Sequence, residues 1–284
     1  MARGLLYALA GAALGAAAAR AAYTALTRGR GQGDPGDRWT RKNHRGEPIT
    51  LLEGPAFVAG SGAALACAPG LPTRVRLAAL LAGGGSGALG AYDDLYGTTS
   101  SKGFKGHLSA LTRGEVTSGA VKILGIGATG LGAAALVSTG PVDTLVNGAT
   151  VAGAANLANL FDLRPGRAIK VGLLAGGPLL AASLLRDRPV SAALTAVPLG
   201  AAAALLPEDL GERAMLGDAG ANALGALLGL AAVTGLGRPG RLAVLGTVVA
   251  LTAAAEKVSF TKVIAGNQVL NRLDMLGRRP AAAV

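Results

Sequence analysis

Pro189-Val-Ser-Ala-Ala-Leu-Thr-Ala-Val-Pro-Leu-Gly-Ala-Ala-Ala-Ala-Leu-Leu206 runs without a charge, between Arg186-Asp187-Arg188 on one side and Glu208-Asp209 on the other. At about 1.5 Å per helical residue, such a block spans most of the roughly 30 Å hydrocarbon core of a bilayer. Similar blocks recur on both sides of it. Together they predict nine spans, over residues 4–27, 51–69, 75–92, 119–138, 142–160, 168–186, 189–206, 219–236 and 239–256. The first of these is too long for a signal-peptide core and has no clear cleavage site, so it reads as a helix that is kept. The whole chain agrees. Of its 284 residues 51% are hydrophobic and only 15% charged, its mean hydropathy is +0.46, and a soluble domain carries about 25% charged residues. The sequence predicts an all-α fold, a polytopic membrane bundle of about nine transmembrane helices over residues 1–256. A cytoplasmic amphipathic tail follows over residues 257–284.

The net charge of +11 raises the question of nucleic acid. Aromatic residues make up only 3% of the chain, too few for base-stacking platforms. The basic residues also cluster in short loops between apolar blocks, as the positive-inside rule and anionic headgroups require. With nine spans, 20 of the 27 Lys and Arg fall on one face, which is therefore cytoplasmic; the other face holds Arg3, Arg74, Arg76, Arg186, Arg188, Arg238 and Arg241. Acidic residues do little to set topology, yet 14 of 16 share the cytoplasmic face, with only Asp143 and Asp187 opposite. That asymmetry points to chemistry on this side. The lone cysteine, Cys67, lies in an apolar run and reads as a small buried residue, which excludes a disulfide framework or a Cys-based metal site. The many glycines read as close helix packing, and no GxxxxGK[ST] phosphate loop occurs.

Three polar clusters break the apolar pattern, all at cytoplasmic ends of spans. Asp93-Asp94 closes the third span, and adjacent carboxylates call for a nearby cation or a proton to be moved. Lys102, Lys105 and His107 follow in a Gly-rich loop where cations can meet phosphate oxygens. Asn156, Asn159 and Asp162 recur at threes on one helix face at the end of the fifth span, a costly arrangement at a membrane boundary unless it binds something. Arg164 and Arg167 come next, with Pro165 stopping the helix. Asp218, between glycines at the start of the eighth span, suits an N-cap, and a carboxylate there can also take Mg²⁺ whose other positions go to water and substrate phosphates. Carboxylates and cations gathered at a lipid boundary suit a Mg²⁺-dependent reaction between a phosphorylated water-soluble donor and a lipid.

With these residues in view, the chain resembles the polyprenyl-phosphate N-acetylhexosamine-1-phosphate transferases, the family of phospho-MurNAc-pentapeptide translocase and the GlcNAc-1-phosphate transferases. The matching elements, in order, are Lys42-Asn43-His44-Arg45-Gly46, Asp93-Asp94, Asn159-Leu-Phe-Asp162 and Leu216-Gly-Asp218-Ala-Gly. The resemblance implies transfer of a sugar-1-phosphate from a UDP-sugar to polyprenyl phosphate, with release of UMP, for cell-wall or surface glycan synthesis. The active site would lie on the cytoplasmic face of a bacterial cell membrane. By that likeness Asp218 binds Mg²⁺ on the diphosphate, Asp93 or Asp94 deprotonates or positions the acceptor phosphate, and Asp162 joins them as a catalytic group. Lys42, Asn43, Lys102, Lys105, Asn156, Asn159, Arg164 and Arg167 would contact substrate. Association as a homodimer is left open.

Where the family usually reads Asp-Gly-x-Asp-Gly, Asp162 is followed here by Leu163-Arg164-Pro165-Gly166, so Pro165 replaces the second carboxylate, and the family's late His-rich motif is missing. His44 and His107 read as surface loop residues. In the tail, Phe260, Val263, Ile264, Leu270, Leu273 and Leu276 at helical spacing, opposite Lys257, Arg272 and Asp274, predict one or two helices on the membrane surface. CDP-alcohol phosphotransferases need a longer Asp series and aromatic prenyl transferases a second Asp-rich motif, and this chain has neither. A carrier would place ionisable groups near the bilayer middle. A catalytically inactive relative serving as an assembly partner remains the other reading.

Overall fold

The computed structural model describes residues 2–29, 37–97 and 117–280. The described residues form eleven helices: α1 (Ala2–Thr27), α2 (Glu53–Cys67), α3 (Thr73–Tyr96), α4 (Ser118–Ala135), α5 (Pro141–Phe161), α6 (Arg167–Leu185), α7 (Pro189–Leu210), α8 (Gly217–Gly235), α9 (Arg238–Ala255), α10 (Phe260–Gly266) and α11 (Gln268–Met275). The first nine lie where the sequence predicts spans. Proline opens α5 and α7, where its missing N–H leaves no bond unmade and its fixed φ suits the first turn. Thr117 caps α4 by accepting from the Ala120 N–H at 3.1 Å.

Four of these helices, α1, α4, α6 and α7, are long and apolar enough to cross a membrane, and α9 with α10, bent by 94°, makes a fifth if the two form one span. The others fall short for visible reasons. Helix α2 has 15 residues, α3 carries Asp93 and Asp94, α5 three asparagines, and α8 Asp218, Asn222 and several glycines. Helix α8 sits at the centre of the bundle, buried along almost its whole length, with α2, α3, α5, α6 and α7 against it. The outward faces of α1, α4 and α6 carry Leu6, Leu124 and Leu174, each 62% exposed. An apolar exterior of this kind is consistent with a membrane protein.

Helix backbones touch where side chains would prevent it. A Cβ at Gly54 of α2 would run into the Leu216 carbonyl, and one at Gly90 of α3 into the Asp218 carbonyl. The N-terminal turn of α8 is therefore clasped by two helices with no side chain between.

Two features depart from the sequence reading. Residues 40–50 contain a small hairpin, β1 (Thr40–Lys42) paired antiparallel with β2 (Pro48–Thr50), Arg41 opposite Ile49. Asn43 Oδ1 accepts from the Arg45 and Glu47 N–H groups at 2.8 and 2.9 Å, and Gly46 takes the left-handed φ of 81° that closes the turn. Thr50 then bridges to Ala214, which fastens the hairpin to the loop before α8. Cys67, expected to be buried, is exposed at the far end of α2.

Candidate functional site

Helices α3, α4, α5 and α8 bring their polar ends together. Helix α3 delivers Asp93 and Asp94, α8 delivers Asp218, and α4 supplies Lys122, a residue the sequence did not single out. The Lys122 ammonium lies 2.6 Å from Asp93 Oδ2 and closer still to Asp218 Oδ2. Side-chain exposures of 15%, 17% and 25% for Lys122, Asp93 and Asp218 keep the triad half-screened yet open to a ligand.

The two adjacent aspartates do different work. Asp94 accepts the N–H of Asp218 on Oδ1 at 3.0 Å and that of Ala219 on Oδ2 at 2.9 Å. It thus occupies the place where a helix N-terminus would otherwise hold an anionic ligand. The N-cap role expected of Asp218 falls to Asp94 from another helix. Asp218, in the first turn of α8, is left facing Lys122. Gly217 makes the turn possible: its φ is 59°, and a Cβ there would sit 3.0 Å from Asp94 Oδ2. Arg41 of the hairpin donates to the Asp94 carbonyl, which ties β1 to the end of α3.

Asp162 ends α5 beside this group, 6% exposed, and neither of its carboxyl oxygens has a hydrogen-bond partner among the described residues. Burial pushes its carboxyl well above the ordinary carboxylate range, and the charges of Asp209, Asp218 and Asp94 push it further. Two further buried carboxyls lie near it. Glu53, fully buried in the first turn of α2, has both oxygens unpartnered, and Asp209 has one unpartnered while the other accepts the Gly166 N–H at 2.9 Å. Neither was singled out from the sequence. Glu53 had a readable signal, a carboxylate three residues inside an apolar block. The Asn156 and Asn159 side chains are half-buried and make no hydrogen bond among the described residues.

The first-loop motif goes elsewhere. Asn43 Nδ2 donates to Glu212 at 2.7 Å and Arg45 Nε to the same carboxylate at 2.9 Å. Lys42 is exposed. Asn43, His44, Arg164, Pro165, Asp209 and Glu212 instead line a second, smaller pocket. Burial lowers the His44 pKa, Glu212 opposes that, and Arg164, Arg45 and Arg278 add to it. Arg167 is 3% exposed and committed to Asp274 and Thr261 rather than free for substrate. Lys102 and Lys105 lie outside the described residues.

Below Asp162, an apolar cavity of about 580 Å³ runs between α5, α6, α8 and α9. Leu157, Phe161, Leu179, Leu224, Leu228 and Val248 line it, and Phe161 is its neighbour to the polar group.

Among the described residues no three His, Cys, Asp or Glu side chains converge into a ready-made metal cage. Mg²⁺ asks for less: one or two carboxylates, with waters and substrate phosphates completing the shell. Asp218 and Asp93, hard oxygen donors already gathered around one cation, fit that demand. No protein-family model matches the chain, and no curated protein matches it.

Proposed function

We propose that the chain is an integral membrane enzyme of nine spans that transfers a sugar-1-phosphate, of the N-acetylhexosamine type, from a UDP-sugar to polyprenyl phosphate. In the net reaction an oxygen of the lipid phosphate becomes bonded to the sugar-bearing phosphorus. The bond from that phosphorus to the uridine phosphate breaks, and UMP leaves with the electron pair. The observation that carries the reading is the meeting of Asp93, Asp218 and Lys122 at helix ends, with Asp162 nearby and its neighbour Phe161 lining an apolar cavity. A polar donor and a long lipid both need access to such a place.

Each group has a task suited to its surroundings. Lys122 offsets the negative charge of phosphates drawn to the triad. Asp93 accepts or orients a proton of the acceptor phosphate. Asp94 fixes the α8 terminus, so that Asp218 keeps its direction. Asn156 and Asn159, with amides uncommitted, offer donors and acceptors to the sugar or nucleotide. Asp218 would hold Mg²⁺, with waters and substrate phosphates completing the shell, and the ion would supply charge neutralisation on the diphosphate. The apolar cavity suits the first isoprene units. The loop charges favour the cytoplasmic face as the setting, and the family resemblance implies a bacterial cell membrane.

One observation favours a second reading, a catalytically inactive relative that serves as an assembly partner. Lys122 is paired with both Asp93 and Asp218, as a purely structural ion cluster would be. One assay separates the two. Purified protein with Mg²⁺, polyprenyl phosphate and a panel of radiolabelled nucleotide-sugars is expected to yield lipid-linked label from at least one UDP-N-acetylhexosamine. Asp218→Ala and Asp93→Ala are each expected to reduce transfer by about 100-fold or more. Folded wild-type protein that labels no lipid with any donor rules the enzyme out.

A further inference from the structure

The stretch from Phe260 to Pro280 does more than rest on a surface. It crosses the site end of the bundle as a strap fastened at three places. At the first, the Phe260 ring stacks on Phe161, centroids 4.8 Å apart and planes 10° from parallel. At the second, Asp274 of α11 receives Arg167 of α6 in a two-pronged pair, Nε to Oδ1 at 2.8 Å and Nη2 to Oδ2 at 3.0 Å. Arg278 adds a bond to Asp274 Oδ1 at 2.8 Å, and Lys170 donates to the Asp274 carbonyl at 2.6 Å. At the third, Arg279 donates to the Glu47 carboxylate at 2.6 and 3.2 Å, and Arg45 to the carbonyls of Arg279 and Pro280 at 3.0 and 2.8 Å.

The central pair is nearly inaccessible, Arg167 at 3% and Asp274 at 8%. Desolvation cancels most of what such a pair adds to stability, and apolar residues of the same volume often do as well. A bidentate guanidinium–carboxylate fork does fix direction. What it fixes here is the five-residue connection 162–166 between α5 and α6. Arg167 closes that connection, and Arg278 Nε donates to the carbonyl of Pro165 within it at 3.0 Å. On its other side the Gly166 N–H is held by Asp209, with φ at 66°. Both restraints grip the single peptide unit Pro165–Gly166, with Arg164 directly before it and Asp162 three residues before Pro165. Arg164 spends one bond on its neighbour's carbonyl, at 3.1 Å, and lines the small pocket with Asn43 and His44.

We propose that Asp274 is a positioning residue for the site: through Arg167 and Arg278 it holds the 162–166 connection so that Asp162 keeps its place beside Asp94 and Asp218 and Arg164 its place on the small pocket, where it meets the nucleotide-sugar. This rests on the transferase reading above. The tail thereby supports the connection in which Pro165 stands where the related enzymes have a second carboxylate.

The test uses the full chain in lipid nanodiscs, with donor and acceptor concentrations varied separately. Asp274→Asn is expected to raise the donor KM about tenfold, with kcat and the acceptor KM within about twofold of wild type. Asp274→Glu, which restores the charge, is expected to recover most of the loss. A donor KM unchanged in folded Asp274→Asn protein, or a fall in kcat alone, overturns the proposal. Where Asp274→Asn cannot be purified, Arg279→Ala loosens only the exposed end of the strap and must still raise the donor KM; no rise overturns the proposal equally. Wild-type protein that transfers nothing sinks the transferase reading and this one with it. An active wild type whose Asp274 and Arg279 variants behave identically to it sinks the positioning role alone.

Discussion

Asp162 keeps a carboxyl where stability alone would place an amide or an apolar group. It is buried, its oxygens are unpartnered, and three other carboxyls act on it. Its folded pKa is raised, so its contribution to stability is fully present below the ordinary carboxylate value and is lost as pH rises through the raised value. Wild-type protein should therefore melt at a lower temperature at about pH 8 than at about pH 5, through this group. Asp162→Asn should raise Tm by a few degrees at the higher pH and flatten that dependence, while sugar-phosphate transfer falls about 100-fold. Thermal unfolding in detergent at several pH values, beside the transfer assay, measures both. A variant that is less stable than wild type at high pH removes the strain argument. The sequence marked Asp93, Asp94, Asp162 and Asp218 as chemistry-bearing because polar groups stand out against apolar runs. It could not divide their labour. Lys122 is 29 residues from Asp93 and 96 from Asp218, and Asp94 reaches the α8 N–H groups from 124 and 125 residues away. Only the folded chain shows that one aspartate of the pair caps a helix while the other faces a lysine.

Helix α8 brings the elements into register. Its first turn is pinned by bare backbone contact, from Gly54 on one side and Gly90 on the other, and by the Asp94 carboxylate at its N-terminus. A side chain at Gly90 would meet the Asp218 carbonyl, and backbone cannot swing aside as a flexible side chain can. Gly90→Ala should thus destabilise by about 1–3 kcal/mol, and transfer should fall with it as Asp218 moves off Lys122. Gly84, on the same helix, has open space where its Cβ would go. Gly84→Ala should cost nothing and stabilise by up to about 0.5–1 kcal/mol through helix propensity. Melting curves and transfer rates of the two variants side by side decide the matter, since equal effects would mean that the clasp is not what sets the α8 terminus. At this scale the helices were legible, because blocks of apolar residues between prolines and charges have few other ways to fold. The glycines signalled close approach without naming the partner. The hairpin at 40–50 was missed, since three-residue strands leave no alternating pattern and the turn is built from Asn43 and Gly46 side-chain and φ preferences. The tail's amphipathic spacing was readable, but the tie from Asp274 to Arg167, 107 residues apart, was not.

Across the whole molecule, charge is sorted to two ends. Arg20 with Glu208, Arg45 with Glu212, Lys122 with Asp93 and Asp218, and Arg167 with Asp274 all pair at the site end. Arg241 and Asp143 meet at 3.7 Å at the other. The acidic asymmetry in the sequence thus reflects, at least in these pairs, partners for basic residues. Nine crossings require α2 to leave the site end at Glu53 and reach the opposite face by Cys67, and they require the chain to be back at the site end after α9, near Ser259. Both positions are exposed. A membrane-impermeant thiol reagent added to intact cells should label Cys67 of the wild type, and the label should vanish in Cys67→Ser. In that cysteine-free background Ser259→Cys should stay unlabelled until the membrane is permeabilised, then react fully. Labelling of both sites from the same side would mean that an even number of crossings separates them, and the site could no longer be assigned to the face rich in Lys and Arg. Labelling with the two sides exchanged would keep the crossing number and turn the triad outward, away from the cytoplasmic pool of nucleotide-sugars that the proposed reaction requires.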